Sequence, residues 1–238
     1  MDMVTRRRFL AMSLGAAGLA VGARAATGAP APRFEGCFLR AATPGEYTRG
    51  FTLQSSSGDK EADQVCRQAE GDLRHVFGVA PALWFFDDGQ EPNAFAAWEP
   101  RPGNGWNGTV LIGLKLVATA ARRNELNRRW KLRLTAIVAH EWAHIVQYSR
   151  GRYGGPGKSG ELHADFLAGW FLGRTTPPAG RDEAKNEAMY RLFFLGDTAY
   201  TDPNHHGTPL ERASAVTDGF ELAATVDKLD VAFEARRF

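Results

Sequence analysis

Apolar residues recur at helical spacing in one stretch of the first half of the chain. Between Lys60 and Phe77 they are separated by steps of three and four residues, which places them on one face of an α-helix. Three short runs rich in aromatic and β-branched residues follow at 82–86, 94–98 and 109–112, with Gly- and Asp-containing turns between them. Such runs are typical of strands, so the pattern predicts a small, mostly antiparallel sheet.

After Leu116 the pattern indicates helices joined by loops. One helix is predicted over 132–148, a second over 160–171, and a third begins near Leu210. The chain has 238 residues, of which 44% are hydrophobic, and this is enough to build a substantial core. The predicted fold class is therefore α+β, with a sheet lobe over about 34–116 packed on a helical lobe over about 117–238.

The first 25 residues look like an export signal. Three consecutive arginines at 6–8 precede an apolar run over 9–21, and Ala23-Arg24-Ala25 has the small-x-small form that signal peptidases accept. This arrangement resembles a bacterial twin-arginine signal, and its apolar run is shorter than the ~20 residues needed to cross a bilayer. We expect 1–25 to be removed and 26–33 to be a flexible tether. The folded domain over 34–238 would then be periplasmic or secreted, without a stable membrane anchor.

Charge and cysteine content add two limits. The net charge is +2, and loss of residues 1–25 would remove four arginines and one aspartate, which leaves −1. A domain with this charge has no electrostatic preference for nucleic acid or an anionic membrane. Cys37 and Cys66 could form a disulfide in an oxidising compartment, or they could remain two unpaired thiols.

The helix predicted over 132–148 carries the sequence His140-Glu141-Trp142-Ala143-His144. Two histidines four residues apart project in parallel from one helical face and can bind one zinc ion. Glu141 lies beside them and can reach a water molecule at the metal. A catalytic zinc site takes three protein ligands and leaves one position for water, so a third ligand must come from elsewhere.

The residues around this motif restrict the third ligand. Metzincins would have glycine at 147 and histidine at 150, whereas this chain has Gln147 and Arg150. A deformylase-like site would use a cysteine within Gly-x-x-Cys-Leu, and Cys66 has different neighbours. Glu161, at the start of the next predicted helix, is the remaining candidate.

Asp165 follows Glu161 by four residues and shares its helical face. We expect Asp165 to accept a hydrogen bond from the far nitrogen of His140 and so to fix the orientation of that imidazole. His163 points to another face and is expected to be a structural or surface histidine. Glu161 and Asp165 could instead be solvent-exposed acids at an ordinary helix start, where the helix dipole favours negative charge.

The motif His140-Glu141-x-x-His144 followed by Glu161-x-x-x-Asp165 resembles the gluzincin clan of zinc metallopeptidases. Over about 135–169 it is similar to the small bacterial neutral zinc metallopeptidases within that clan. The resemblance implies an enzyme that binds one Zn²⁺ and hydrolyses peptide or protein substrates with zinc-activated water, with Glu141 as general base.

Two further segments resemble parts of these enzymes. Asn93-Ala94-Phe95-Ala96 and 109–113 are similar to the strands that hold extended substrate, and Gly113 would leave room for the substrate backbone. The segment from His206-Gly207 to Arg212 resembles the clan's His-Gly-x-x-x-x-Arg. This implies that His206 stabilises the oxyanion, with His205 as the alternative, although a plain polar turn fits the segment nearly as well.

Two other classes of protein remain open on the sequence alone. One is a zinc-containing pseudoenzyme that binds peptides without cleaving them, and the other is a structural helical domain without a metal. The intact Glu141 favours the peptidase over the pseudoenzyme, because zinc binding by itself needs no general base.

Overall fold

The structure is a computed structural model that describes residues 52–89, 92–98, 107–120, 129–152, 157–193, 195–196 and 206–236. All of them belong to one compact unit, Phe34–Phe238. The predicted signal segment and tether lie outside the described residues. Among the described helices, none combines the length and the apolar character that a membrane span requires.

Helix α1 (Lys60–Phe77) begins and ends as its sequence predicts. The Asp59 side chain accepts hydrogen bonds from the backbone N–H groups of Glu61 and Ala62 at 3.0 and 3.1 Å, which caps the first turn. Gly78 follows the last turn in the left-handed conformation, with φ of 67°, and its N–H donates to the Arg74 carbonyl. The apolar face of α1 packs into the core.

A four-stranded mixed sheet follows, in the order β1-β2-β4-β3. The strands are β1 (Leu53–Gln54), β2 (Ala82–Phe86), β3 (Ala94–Ala97) and β4 (Thr109–Gly113). β2 and β4 pair in parallel, whereas the β1–β2 and β3–β4 pairs are antiparallel. The predicted small, mostly antiparallel sheet is therefore present, and its centre is parallel. Trp98, which was predicted to end a strand, lies just beyond β3 and is 43% exposed.

The remaining described residues are mostly helical. The helices are α2 (Leu114–Ala120), α3 (Trp130–Ser149), α4 (Lys158–Thr175), α5 (Arg181–Phe193), α6 (Pro209–Leu222) and α7 (Leu229–Ala235), with a 3₁₀ turn at Pro178–Gly180 before α5. One continuous cluster of buried apolar residues runs from α1 through the sheet to α7. The α+β fold class is thus confirmed, and the sheet shares this core with the helices, while Phe86, Phe95 and Leu111 form a second, smaller buried cluster.

Helices α4 and α6 pack against each other with their backbones in close approach. A Cβ atom at Gly169 of α4 would lie 2.9 and 3.0 Å from backbone carbon atoms of Val216. A Cβ atom at Gly219 of α6 would lie 2.9 Å from the Trp170 backbone nitrogen. Glycine at these positions therefore sets the distance between the two helices.

The role predicted for Gly113 is wrong. β4 lies between β2 and β3, so Gly113 has no open side for a substrate strand, and its N–H donates to the Asn93 carbonyl at 2.9 Å. A Cβ atom at this position would overlap the Asp88 carboxylate. That carboxylate accepts hydrogen bonds from the N–H groups of Lys115 and Leu116 at 2.7 and 2.9 Å and caps α2. Gly113 therefore makes room for a helix cap.

Candidate metal centre

Helix α3 brings the His-Glu-x-x-His residues into the interior of the protein. It is buried along nearly its whole length, and His140, Glu141 and His144 are each at most 1% exposed. The imidazoles lie one turn apart, with their Nε2 atoms 3.1 Å from each other. Polar groups buried in this way need compensating partners, because they have lost their hydration.

Glu161, in the first turn of α4, lies against both imidazoles. Its carboxylate oxygens are 3.3 Å from His140 Nε2 and 3.4 Å from His144 Nε2. One ligand atom from each residue lies within 4.8 Å of the others. The structure therefore brings together the three residues that the sequence proposed as metal ligands.

Asp165 lies one turn further along α4, behind His140. Its Oδ1 is 2.8 Å from His140 Nδ1, so the contact expected between these residues is present. The Arg212 guanidinium of α6 donates two hydrogen bonds to the same carboxylate, at 2.7 and 2.9 Å, and its Nη2 is 3.4 Å from Glu161. A buried arginine thus fixes both carboxylates, and through Asp165 it fixes the first imidazole.

A second set of contacts holds His144. Its Nδ1 lies 2.9 Å from Gln147 Oε1, and Gln147 Nε2 donates to the Gly160 carbonyl at 2.9 Å. Gln147 Nε2 is also 3.2 Å from Nδ1 of His163. His163 is fully buried and its Nε2 lies 2.9 Å from the Phe233 carbonyl oxygen. It is therefore a structural histidine, and the surface alternative is wrong.

The hydrogen bonds around the two imidazoles determine which inner atoms can bind a cation. Asp165 can only accept when ionised, so His140 donates Nδ1–H to it and its Nε2 is an acceptor. Gln147 uses its amide nitrogen on the Gly160 carbonyl, so its oxygen accepts from His144 Nδ1–H. His144 Nε2 is then also an acceptor, and both face a carboxylate. Two neutral imidazoles and a carboxylate that converge in this way suit zinc.

The two buried carboxylates are held in their ionised form. Burial alone would raise the pKa of Glu161, but when no metal is bound and the imidazoles are protonated, the neighbouring rings of His144, His140 and His206 hold it well below its usual range. Burial would likewise raise the pKa of Asp165, and the Arg212 guanidinium, with His140, lowers it instead. Negative charge is thus available at the centre to stabilise a cation.

His206 also reaches the centre. Its Nδ1 lies 3.7 Å from Glu161 Oε1, and its side chain is 15% exposed. It precedes α6, whose first turn is fixed by a capping box between Thr208 and Glu211. His205, the alternative to His206, lies outside the described residues, so the choice between them stays a prediction.

The strand proposed to hold substrate is covered in this structure. Each residue of β3 is at most 4% exposed, and the Tyr148 hydroxyl donates to the Ala96 carbonyl at 3.4 Å. The three candidate ligands, His140, His144 and Glu161, are likewise at most 2% exposed.

The sequence analysis gave no positioning role to three residues that hold this centre: Gln147 and His163 beside His144, and Arg212, noted there only as part of a motif, beside Asp165 and Glu161. Arg212 lies two turns before Gly219 on a helix whose other buried positions are small or apolar, which was a usable signal. Gln147 follows His144 by three residues and so shares its face. The Phe233 carbonyl carries no signal, because any residue supplies one.

Of the two cysteines, only Cys66 belongs to the described residues. Cys66 is buried on α1 and has no disulfide partner among the described residues, and burial raises the pKa of its thiol to about 12. Cys37 lies outside the described residues, so the disulfide stays a prediction.

No family model matches this chain, and no curated protein or solved structure matches it either. What the described residues show is a buried group of two imidazoles and one carboxylate, from His140, His144 and Glu161, that could hold a metal ion.

Proposed function

We propose that the protein is a gluzincin-type zinc metallopeptidase that binds one Zn²⁺ through His140, His144 and Glu161 and hydrolyses peptide bonds. The observation that supports this most strongly is the convergence of three acceptor atoms on one point, with the far sides of both imidazoles engaged by Asp165 and Gln147. Catalytic zinc sites characteristically combine such ligands with outer hydrogen bonds that fix the imidazole tautomers.

Glu141 supplies the acid-base chemistry in this proposal. It follows His140 on α3 and is not among the three converging ligands, which is the position a general base needs beside a water molecule at the metal. Bound zinc would supply Lewis-acid activation of that water. Glu141 accepts a proton from the water as it attacks the peptide carbonyl, and returns the proton to the departing amine.

His206 is the candidate for stabilising the tetrahedral oxyanion. Its Nδ1 lies 3.7 Å from Glu161 Oε1 and its side chain is 15% exposed, more than any of the three candidate ligands, which supports this role. A donor that meets charge only as the reaction proceeds lowers the barrier without tightening substrate binding. The substrate is proposed to be a peptide or an unfolded protein, encountered after twin-arginine export to the periplasm or beyond.

The enclosure of the centre favours a second candidate, a zinc-containing protein without catalytic activity. A structural zinc site is closed, whereas a catalytic one keeps a position for water. If this second candidate binds peptides along β3, the residues that cover β3 would have to move, because that strand is buried. The two candidates differ in what they require of Glu141.

The test is therefore Glu141→Gln, which preserves the size of the side chain and the three ligands but removes the base. We expect the zinc content of the purified variant to equal that of the wild type. Cleavage of casein should fall by about 10²-fold to 10⁴-fold, the loss typical of a positioned general base. Glu70→Gln is the matched control, because Glu70 pairs with Arg67 and Arg74 on α1, away from the centre.

Two outcomes would overturn the proposal in different ways. If the zinc-loaded wild type cleaves casein and a panel of unstructured peptides no faster than Glu141→Gln does, the non-catalytic candidate replaces the peptidase. If the wild type binds no zinc, or if His140→Ala keeps its full zinc content, the metal centre itself is wrong.

A further inference from the structure

A chain of hydrogen bonds joins the last helix to the candidate metal centre. It starts at the Phe233 carbonyl on α7, passes through both ring nitrogens of His163 and both polar atoms of the Gln147 amide, and ends at His144 Nδ1. The three distances are 2.9, 3.2 and 2.9 Å. The residues involved are buried, so water does not compete for these bonds.

Only one direction of proton donation satisfies this chain. A carbonyl oxygen cannot donate, so His163 donates Nε2–H to Phe233 and presents Nδ1 as an acceptor. Gln147 then donates from its amide nitrogen to His163 and to the Gly160 carbonyl. Its oxygen is left to accept from His144 Nδ1–H. The proton of His144 is thereby placed on the nitrogen that points away from Glu161.

We propose that His163 is a positioning residue that fixes the tautomer and orientation of His144 through Gln147, and so couples α7 to metal binding. The inference rests on the metal centre proposed above. It adds that His163, which is not one of the three candidate ligands, sets how well His144 binds zinc.

The surroundings of α7 explain why such a coupling is effective. α7 has seven residues, too few to form a stable helix by itself, and depends on its contacts with the core. The Phe233 ring packs edge-on against His163, with centroids 4.7 Å apart, and Arg150 from the end of α3 lies over that ring. Arg150 also pairs with Asp230 at 2.5 Å. Together these contacts hold the Phe233 carbonyl in line with the His163 ring.

His163→Phe tests the proposal, because it keeps a ring in the cavity and removes both hydrogen bonds. Using Zn²⁺ alone, with affinity measured by chelator competition on the full chain, we expect binding to weaken by about 10-fold to 100-fold. Phe171→Leu is the matched control: Phe171 is buried on the same helix and packs on Phe77, outside the hydrogen-bonded chain. It should lower thermal stability and leave zinc affinity unchanged.

Gln147→Met is a second variant that tests the proposal, and it is needed if His163→Phe folds poorly. We expect a similar loss of zinc affinity, and in the double variant the two losses should not multiply, because both break the same chain. Losses that multiply, or an unchanged affinity in either single variant that folds, would overturn the proposal.

A tautomer measurement separates this proposal from the metal assignment. In chelator-treated, ¹⁵N-histidine-labelled protein, NMR should show the proton of His144 on Nδ1 and that of His163 on Nε2 in the wild type. The His144 proton should redistribute between its nitrogens in Gln147→Met. A His144 tautomer that does not change would reject the coupling even if zinc binds as proposed. The expected change without any zinc binding would reject the metal centre and keep the hydrogen-bonded chain.

Discussion

Replacement of Arg212 by methionine should destabilise the protein far more than the loss of an ordinary ion pair. The guanidinium is fully buried, donates two hydrogen bonds to Asp165 and lies 3.4 Å from Glu161. Met fills much of the same volume but leaves two buried carboxylates without their cation. Removal of one partner from a buried pair costs about 3–5 kcal/mol, which for a domain of this size lowers the melting temperature by on the order of 10 °C.

The loss of stability in Arg212→Met should be larger at neutral pH than at acid pH. In the wild type the lowered pKa of Asp165 stabilises the fold at pH values above the unfolded carboxyl's pKa of about 3.9, and this is lost as pH falls through the lowered pKa. Without Arg212, burial dominates and the pKa of Asp165 rises. Asp165 in the folded variant then takes up a proton as pH falls, so the difference from the wild type shrinks toward acid pH.

Urea denaturation of chelator-treated protein at about pH 7.5 and about pH 5 measures both effects. Arg212→Lys should recover only part of the loss, since an ammonium cannot form the two parallel hydrogen bonds. Arg67→Met is the exposed control, at a guanidinium paired with Glu70 on α1, and should change the free energy of unfolding by less than about 1 kcal/mol. A loss at Arg212→Met as small as the control's, or equal at both pH values, would refute the reasoning.

Two further predictions concern residues outside the centre. Thr208→Ala removes the capping-box hydrogen bond to the Glu211 N–H and should cost about 1 kcal/mol in chemical denaturation, with Thr208→Ser close to the wild type; an unchanged midpoint for Thr208→Ala would show that the cap is not needed. Cys66, with its pKa raised to about 12 and its side chain buried, should react with a thiol reagent only after denaturant is added. Rapid labelling of Cys66 in the native protein would contradict that expectation.

The parts of the fold that follow local rules could be read from the sequence. α1 was predictable because its apolar spacing, the Asp59 cap and the Gly78 stop all agree. The strands were found from their composition. The order of the strands was not, because placing β3 at an edge and β2 beside β4 depends on packing between distant segments. The ends of α3 and α4 differ by one to four residues from the predicted 132–148 and 160–171, since both helices are buried around their circumference and show little periodicity.

The candidate metal centre also has a part that the sequence predicted and a part that it did not. His140, His144 and Glu161 could be proposed because zinc coordination requires particular residue types at particular spacings, and the structure brings them together. Arg212 and Asp165 are 47 residues apart, and the bond from His163 to the Phe233 carbonyl spans 70. Contacts of that range leave no local pattern, and a carbonyl acceptor leaves no trace in the residue type. These outer contacts, unlike the expected one between Asp165 and His140, therefore needed the fold.

The close approach of α4 and α6 carries a consequence for how the protein tolerates mutation. Glu161 and Asp165 are on one side of that contact and Arg212 is on the other, so the distance between the helices is also the distance across their ion pairs. A single methyl group added at Gly169 or Gly219 would wedge the helices apart and stretch those pairs without touching any polar atom. In a mutational scan these two glycines should tolerate substitution as poorly as the three candidate ligands do, although neither glycine contributes a polar atom to the centre.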